Sequence, residues 1–210
     1  MWFLLICVII FAILVSILCY KNVNFKFYNG GYEKHKNLIV DTLNMTYEIH
    51  KKSDNYRVSN TDILNTIRIV TDKLKPHISD KLIFVTKTNK KDYKELESYD
   101  NISKELGIYI YVVMALEKPG INSFVKITKS HSTLGRDDFY IMIMAWKLRC
   151  PVLGQDYYRD LKNMKFGDLD SFYVKRYSPY KKFPDRDYVN PTGQEYRRMR
   201  APRVIRWDSL

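Results

Sequence analysis

Cysteine is scarce in this sequence, and its positions exclude a disulfide framework outside the N-terminal region. Two of the three cysteines, Cys7 and Cys19, lie inside an apolar N-terminal segment, so Cys150 stands alone in the rest of the chain. A single thiol forms neither an intrachain disulfide nor a cysteine-based zinc site, which favours a reducing compartment. The four histidines show no metal-ligand spacing. The sequence also contains neither a glycine-rich phosphate-binding loop nor a Ser-His-Asp set.

Basic residues are absent from the start of the chain, where Lys21 is the first of the 35 Lys and Arg. The apolar run that precedes Lys21 therefore lacks the basic region of a secretory signal peptide. Residues 2–20 carry no charge, Pro or Gly, and as a helix they would span about 28 Å, close to the thickness of a bilayer core. Because lysines follow the run, the positive-inside rule places the soluble domain in the cytosol.

We therefore expect a single-pass membrane protein, with a transmembrane anchor at residues 1–20 that contacts the lipid bilayer through residues 2–20. Residues 21–36 are expected to form a linker. The remaining chain is long enough for one domain, and a hydrophobic fraction of 46% argues against disorder. Its net charge of +12 favours polyanionic partners, either nucleic acid or an anionic membrane surface.

Apolar runs alternate with segments of helical spacing between residues 37 and 177. Asn60-Thr61-Asp62 is a helix-start signal, and Pro76 ends the pattern that follows. The predicted strands are 37–41, 81–86, 108–116, 151–153 and 171–177, and the predicted helices are 60–76, 91–106 and 137–148. This order predicts an α/β fold with a central parallel sheet and helices on both faces at residues 37–177. Residues 178–210 are expected to form an irregular arm rich in basic and aromatic residues.

Acidic side chains follow the predicted strands, at the edge of a parallel sheet where ligands bind. They are Asp41 with Asn44 after the first strand, Asp137 and Asp138 at the start of the buried helix, and Asp156 and Asp160 after the strand at 151–153. Carboxylates brought together repel one another, and a hard divalent cation relieves that repulsion. Mg²⁺ or Mn²⁺ at such a site activates water for hydrolysis of a phosphodiester.

Each of these acids also has a purely structural interpretation. Asp41 and Asn44 could turn the chain after a strand, since Asp and Asn favour turns. Asp137 and Asp138 could cap a helix and complement its dipole. The acids after the fourth strand could be surface residues.

Three sequence blocks resemble the NYN/PIN-like ribonucleases, with the Regnase subgroup nearest. The blocks are Asn37-Leu-Ile-Val-Asp41-Thr-Leu-Asn44, Gly135-Arg-Asp137-Asp138-Phe-Tyr-Ile-Met-Ile-Met-Ala145 and Pro151-Val-Leu-Gly-Gln-Asp156-Tyr-Tyr-Arg159-Asp160. The first resembles the family's Asp-x-x-Asn strand motif, and the others resemble its Asp-Asp-x-x-Ile-x-x-x-Ala helix and its Asn-Asp-x-Tyr-Arg-Asp strand end. This chain has Gly154-Gln155 before the acid of the third block, and it lacks the subgroup's CCCH zinc finger.

The resemblance implies a PIN-like fold, a Mg²⁺ or Mn²⁺ site and endonucleolytic cleavage of single-stranded RNA. It implies metal ligands at Asp41, Asp138 and Asp156. Asp137 and Asp160 would support those ligands or hold the attacking water. Asn44 would orient a carboxylate or a substrate phosphate.

The C-terminal part of the chain is basic and aromatic. Between Lys175 and Arg206 it contains ten Lys or Arg against three acids, interleaved with tyrosines. Cations neutralise phosphate and aromatic rings stack on bases, a combination that suits single-stranded nucleic acid. The candidate nucleic-acid-binding residues are Arg159, Lys175, Arg176, Lys181, Lys182, Arg197 and Arg198. Anionic lipid or a protein partner would also suit this arm.

Two functions are compatible with these features. The first is a membrane-anchored, metal-dependent endoribonuclease that cleaves single-stranded RNA. The alternative is a membrane-anchored structural protein, such as a minor capsid or inner-membrane-linked component of a large virion, that retains a nuclease-like fold. Fold alone does not decide between them, so the placement of the acids is the distinguishing feature.

Overall fold

The computed structural model describes residues 35–51, 58–88, 93–115, 135–158, 171–191 and 199–210. Within these ranges the chain forms a mixed α/β fold, in which helices cover one seven-stranded sheet. The strands are β1 (His35–Asp41), β2 (Ile78–Thr88), β3 (Tyr109–Ala115), β4 (Val152–Leu153), β5 (Phe172–Tyr177), β6 (Asp185–Val189) and β7 (Val204–Ile205). The α-helices are α1 (Thr42–His50), α2 (Asn60–Leu74), α3 (Tyr93–Leu106) and α4 (Arg136–Leu148), and 3-10 turns cover Lys75–His77 and Trp207–Ser209.

The strands lie in the order β6-β5-β3-β2-β1-β4-β7. β3, β2, β1, β4 and β7 are mutually parallel, whereas β5 runs antiparallel to β3 and β6 runs antiparallel to β5. The chain adds β2 and β3 on one side of β1 and then returns to add β4 on the other side. The strand order therefore reverses between β1 and β4, and open α/β sheets bind ligands at the carboxyl ends of strands at such a reversal.

Successive strand residues point to opposite faces of the sheet, and residues on both faces are buried. On one face Ile39 and Val85 pack with apolar side chains of α4, among them Phe139. On the opposite face lie Val40 and Phe84, which are fully buried. Helices α1, α2 and α3 contact one another and the sheet, whereas α4 contacts β1, β2 and β3. Burial on both faces explains why β1 and β2 are continuous apolar runs.

Side-chain caps determine where the first two helices begin. α1 starts directly after β1 because the Asp41 carboxylate accepts a hydrogen bond from the backbone N–H of Asn44. α2 starts with a capping box, in which Ser59 and Asp62 each accept a hydrogen bond from the other's backbone N–H. The cap of α1 also fixes the last residue of β1 at the carboxyl edge of the sheet.

The predicted alternation of strands and helices is confirmed from β1 to β4. The predicted central parallel sheet accounts for five of the seven strands, and β5 and β6 add an antiparallel ribbon at one end. The expectation of an irregular arm after residue 177 is wrong, since β6 and β7 both join the sheet. Helix α1 was not among the predicted elements.

Pairing with neighbouring strands of the sheet explains the two unexpected strands. β6 is rich in charge, and Arg176 of β5 lies 3.1 Å from Asp187 and 3.6 Å from Asp185 across the ribbon. β7 is short, but Arg203 and Ile205 accept backbone hydrogen bonds from the β4 segment at 2.9 and 3.1 Å. The described residues of the arm up to position 209 belong to the same compact unit as the sheet.

Among the described residues, no helix is both long enough and apolar enough to cross a bilayer. The predicted anchor at residues 2–20 and most of the predicted linker lie outside those residues.

Candidate functional site

Four of the predicted site acids lie around the carboxyl edge of the sheet, where the strand order reverses. Asp41 is the last residue of β1, and Asp156 follows β4, which is the neighbour of β1. Asp137 and Asp138 lie in the first turn of α4, the helix that connects β3 to β4. The fold therefore brings acids from three distant parts of the sequence to one edge. Asp160 lies outside the described residues.

Asp41 is the most enclosed of these acids, with only 3% of the residue exposed. Its Oδ1 accepts a hydrogen bond of 3.1 Å from the backbone N–H of Asn44. Its Oδ2 accepts one from the Asn44 side-chain amide and one of 3.0 Å from the Tyr158 hydroxyl. Burial, with a smaller contribution from the charge of Asp137, raises the pKa of Asp41 to about 6 against the opposing effect of the hydrogen bonds from Asn44 and Tyr158.

Asp138 is the acid whose protonation is most perturbed. Burial, and then the negative charges of Asp137, Asp41 and Asp156, raise its pKa to about 8, whereas Lys87 lowers it. Each of the other three acids therefore acts on Asp138 through its charge. The four carboxylates therefore lie close enough to interact, and an acid whose pKa is raised by burial and by neighbouring charges, as that of Asp138 is, is typical of functional sites.

Lys87 partly balances this negative charge. It lies near the end of β2, and its Nζ contacts both carboxylate oxygens of Asp137, at 3.1 and 2.9 Å. The Asp137 side chain is 7% exposed and that of Lys87 is 27% exposed, so the ion pair is largely shielded from water. Lys87 was not among the predicted site residues, because a lysine near the end of a strand does not indicate a functional role until its partner is known.

Tyr158 links the fourth strand to the first. Its hydroxyl bonds Asp41, and its backbone N–H donates a hydrogen bond of 2.9 Å to Oδ1 of Asp156. Its backbone has φ +52, a left-handed conformation that is uncommon outside glycine, asparagine and aspartate. Burial and the nearby charge of Asp41 hold the pKa of Tyr158 well above its usual range, so the hydroxyl remains a donor. The tyrosine of the Asp-x-Tyr-Arg-Asp block was the available sequence signal, but no role had been assigned to it.

Gly154 allows β4 to approach Asp41 closely. A Cβ at position 154 would lie 3.3 Å from the Asp41 Cβ and 3.5 Å from the Tyr158 hydroxyl oxygen. Such spacing is tight for a side chain, so glycine at this position keeps the two strand ends together. The Gly-Gln pair that departs from the family motif therefore has a packing role in this chain.

The predicted nucleic-acid-binding residues are not all at the acidic edge. Lys175 and Arg176 lie on β5, and Lys181 and Lys182 lie in the turn that joins β5 to β6. Because Tyr177 pairs with Ile110 near the start of β3, that turn lies at the opposite end of the parallel strands from the acids. Lys181 is 2.6 Å from Asp185, and Lys182 lies over the ring of Phe183. The remaining candidates, Arg159, Arg197 and Arg198, lie outside the described residues.

The acidic edge has the donor chemistry of a hard-cation site but not a closed ligand set. Within the part of the chain that the structure describes, no three Asp, Glu, His or Cys side chains are arranged so that they could hold one ion. Oxygen donors of the kind present here suit Mg²⁺ and Mn²⁺, and Mg²⁺ is commonly held by one or two carboxylates together with waters and substrate phosphates. Comparison of the chain with protein-family models, with curated proteins and with solved structures finds no match.

Proposed function

We propose that this protein is a membrane-anchored, metal-dependent endoribonuclease that cleaves single-stranded RNA. The observation that carries the proposal is the shared environment of Asp41, Asp137, Asp138 and Asp156 at the reversal of the strand order. A fold gains nothing in stability from placing three carboxylates where their charges raise the pKa of Asp138, because like charges held together repel one another. A cationic ligand removes that repulsion, and this supports a catalytic site over a structural one.

The oxygen-donor chemistry of the proposed ligands, Asp41, Asp138 and Asp156, suits Mg²⁺ or Mn²⁺, although these three carboxylates are not arranged around one ion in this structure. Carboxylate oxygens are the donors that these hard ions select. A bound ion of this kind supplies a Lewis acid for a phosphate oxygen and lowers the pKa of a water molecule. Incomplete enclosure by the protein is consistent with a site that is completed by substrate phosphate.

The protein's own side chains would orient the site and exchange protons. Asn44 and Tyr158 hold the Asp41 carboxylate in a fixed position through the hydrogen bonds described above. Without a bound ion Asp138 has a pKa of about 8, so a divalent cation held by Asp138 would displace its proton, and metal binding would release a proton near neutral pH. Lys87 holds Asp137 and offsets part of the negative charge that would otherwise repel the RNA backbone.

Membership of the NYN/PIN-like ribonuclease family is part of this proposal. Five parallel strands with helices on both faces, and acids at the carboxyl ends of β1 and β4, are compatible with the PIN-like fold that the sequence blocks imply. The anchor at residues 2–20 is proposed from its apolar sequence and from the lysines that follow it. Extraction of membranes at alkaline pH tests the anchor, since an integral protein stays in the pellet and a peripheral one is released.

One observation favours the structural alternative. Asp41 caps α1 and accepts a hydrogen bond from Tyr158, so its contacts are explained by the fold without any ligand. A membrane-anchored structural protein could keep Asp41 for this purpose alone. It would have no need of Asp138 or Asp156, neither of which caps a helix through its side chain in the described residues.

The deciding experiment measures RNA cleavage by the full-length protein in a mild detergent. Labelled single-stranded RNA is incubated with Mn²⁺ or Mg²⁺, in parallel with an Asp138→Asn variant and with wild-type protein in EDTA. We expect cleavage by the wild-type protein that is lost in both parallel reactions. Folded wild-type protein that cleaves with neither metal at low salt would overturn the nuclease proposal in favour of the structural alternative.

A further inference from the structure

The two faces of the β5–β6 ribbon differ in how their charges are compensated. On the face towards α4, which also carries Val174 of the core, Arg176 forms ion pairs with Asp187 and Asp185. Lys181 also contacts Asp185, at 2.6 Å. The positive charges of Arg176 and Lys181 are therefore neutralised within the protein.

The opposite face of the ribbon carries two cations and two aromatic rings, at Tyr173, Lys175, Arg186 and Tyr188. Lys175 is the direct cross-strand partner of Arg186, and Tyr173 is the partner of Tyr188. The tyrosine rings lie 5.5 Å apart in an edge-to-face arrangement, and the guanidinium of Arg186 lies 3.8 Å from the centre of the Tyr173 ring. We call these four residues the aromatic-basic platform.

The cations of the aromatic-basic platform are not compensated by acids of the described residues. Neither Lys175 nor Arg186 forms a salt bridge with a described Asp or Glu, although Arg176 on the same ribbon forms two. Like charges directly opposite each other on a strand pair reduce stability. A bound anion would remove this repulsion, so the face is electrostatically complementary to an anionic ligand.

The aromatic groups indicate which anion fits. Tyr188 is 57% exposed, and Arg186 is exposed while one side of its guanidinium covers Tyr173. Exposed tyrosine rings and guanidinium planes are the surfaces on which proteins stack unpaired bases. Lys175 and Arg186 would neutralise the neighbouring phosphates. An anionic lipid headgroup would use the charges but not the exposed rings.

We propose that the aromatic-basic platform binds single-stranded nucleic acid by stacking bases on Tyr188 and Arg186. This inference rests on the proposed function, because it gives the RNA substrate of that site a second point of attachment. Tyr173 pairs with Met114 near the carboxyl end of β3, so the platform lies towards the same edge of the sheet as the acids. Four strand spacings of about 4.8 Å separate β6 from β1 along the sheet. Because the platform lies on the face opposite α4, a bound strand would have to pass around the carboxyl edge to reach the acids.

Binding without cleavage tests the platform separately from the nuclease. The affinity of the full-length protein in detergent for a labelled single-stranded RNA is measured in EDTA, where a metal-dependent reaction cannot proceed. Tyr188→Ala is expected to weaken binding about fivefold or more, because it removes one stacking surface. Lys175→Gln is expected to weaken binding. It should also reduce the magnitude of the slope of log affinity against log salt concentration by about 0.7.

Arg176→Gln is the matched control, since it lies next to Lys175 on the same strand, removes the same charge and faces the other way. We expect a smaller effect from it than from Lys175→Gln. A second probe, an oligonucleotide of the same length without bases, should lose little affinity on Tyr188→Ala. Equal losses for the two probes, or equal losses for the Lys175 and Arg176 variants, would overturn the proposal. If the protein binds RNA through the platform but never cleaves it, the nuclease proposal is overturned and the binding proposal stands.

Discussion

The hydroxyl of Tyr158 donates a 3.0 Å hydrogen bond to Oδ2 of Asp41, two residues separated by 117 positions in the sequence. The bond joins the segment after β4 to the end of β1, across the point where the strand order reverses. Because Tyr158 also bonds Asp156 through its backbone, one residue positions two of the proposed metal ligands. The geometry of the acidic edge therefore depends on a side chain that need not contact metal or RNA.

Tyr158→Phe keeps the buried ring and removes this bond. The bond lowers the pKa of Asp41, so its loss is expected to raise that pKa above about 6. The variant should also lose about 1 kcal/mol of unfolding free energy, the usual contribution of one hydrogen bond. Carbon-13 NMR of the carboxyl groups in EDTA and urea unfolding measure the two effects. Tyr180→Phe, at a largely exposed tyrosine, is the control, and an Asp41 pKa unchanged by Tyr158→Phe would contradict the prediction.

Stability without metal should depend on pH through Asp138. Its pKa in the folded protein, about 8, is above the ordinary value of 3.8, so the folded state binds more protons than the unfolded state between these values. The free energy of unfolding in EDTA should therefore fall as the pH rises from about 4 to about 8, by up to about 1.4 kcal/mol per pH unit. Urea unfolding at several pH values measures this slope.

Asp138→Asn should flatten this dependence above about pH 6, since an amide does not titrate, whereas below that pH the raised pKa of Asp41 still contributes. Above pH 8 in EDTA the variant is expected to be at least as stable as the wild-type protein. When metal is supplied, the variant should not cleave RNA. Asp80→Asn, at an exposed acid of β2, should leave the slope in place. A wild-type stability that rises across the same pH range would mean that Asp138 is not the dominant titrating group.

Removal of Lys87 should destabilise the protein through Asp137. Lys87→Met leaves the Asp137 carboxylate buried without its cation, which is expected to cost about 1–3 kcal/mol of unfolding free energy. It should also raise the pKa of Asp138 further, because Lys87 lowers that pKa. Adding Asp137→Asn should restore part of the lost stability, and a double-mutant cycle measures the coupling. Strictly additive losses would show that the two side chains act independently.

Divalent ions should stabilise the folded protein if they bind the acidic edge. An ion at 100 times its dissociation constant adds about 2.7 kcal/mol to the free energy of unfolding. We expect Mn²⁺ or Mg²⁺ to raise the melting temperature of the wild-type protein, and EDTA to reverse the rise. The increase should be smaller for Asp138→Asn than for Asp80→Asn. The same increase in both variants would place the bound ion elsewhere.

Local sequence was sufficient to predict the acids at the edge. β1 and β4 are apolar runs that end close to an acid, and α4 is an apolar helix that begins with two, so the ends of these elements could be located without long-range information. Lys87 and Tyr158 could not be found in this way. Their partners lie 50 and 117 positions away, and only the folded sheet brings them together.

The elements that were missed have ambiguous or weak local signals. In α1 the apolar residues Leu43, Met45, Tyr47 and Ile49 occupy alternate positions, a spacing more typical of a strand than of a helix. The Asp41 cap and the complete burial of Met45 favour the helix instead. β6 reads as a charged loop, and it forms a strand by antiparallel backbone pairing with β5, in which Arg176 also contacts its acids.

The pairing of β7 with β4 has a consequence for how the protein is made. The N–H groups of Val152 and Gly154 donate to the carbonyls of Arg203 and Ile205, residues that are synthesised about fifty positions later. Until Val204 and Ile205 have emerged from the ribosome, β4 is an open edge beside the acids, and open edges are prone to pair with other chains. A product that terminates before Val204 would carry every proposed catalytic residue and still lack the strand that closes this side of the site. Prematurely terminated chains should therefore aggregate or be degraded before they accumulate.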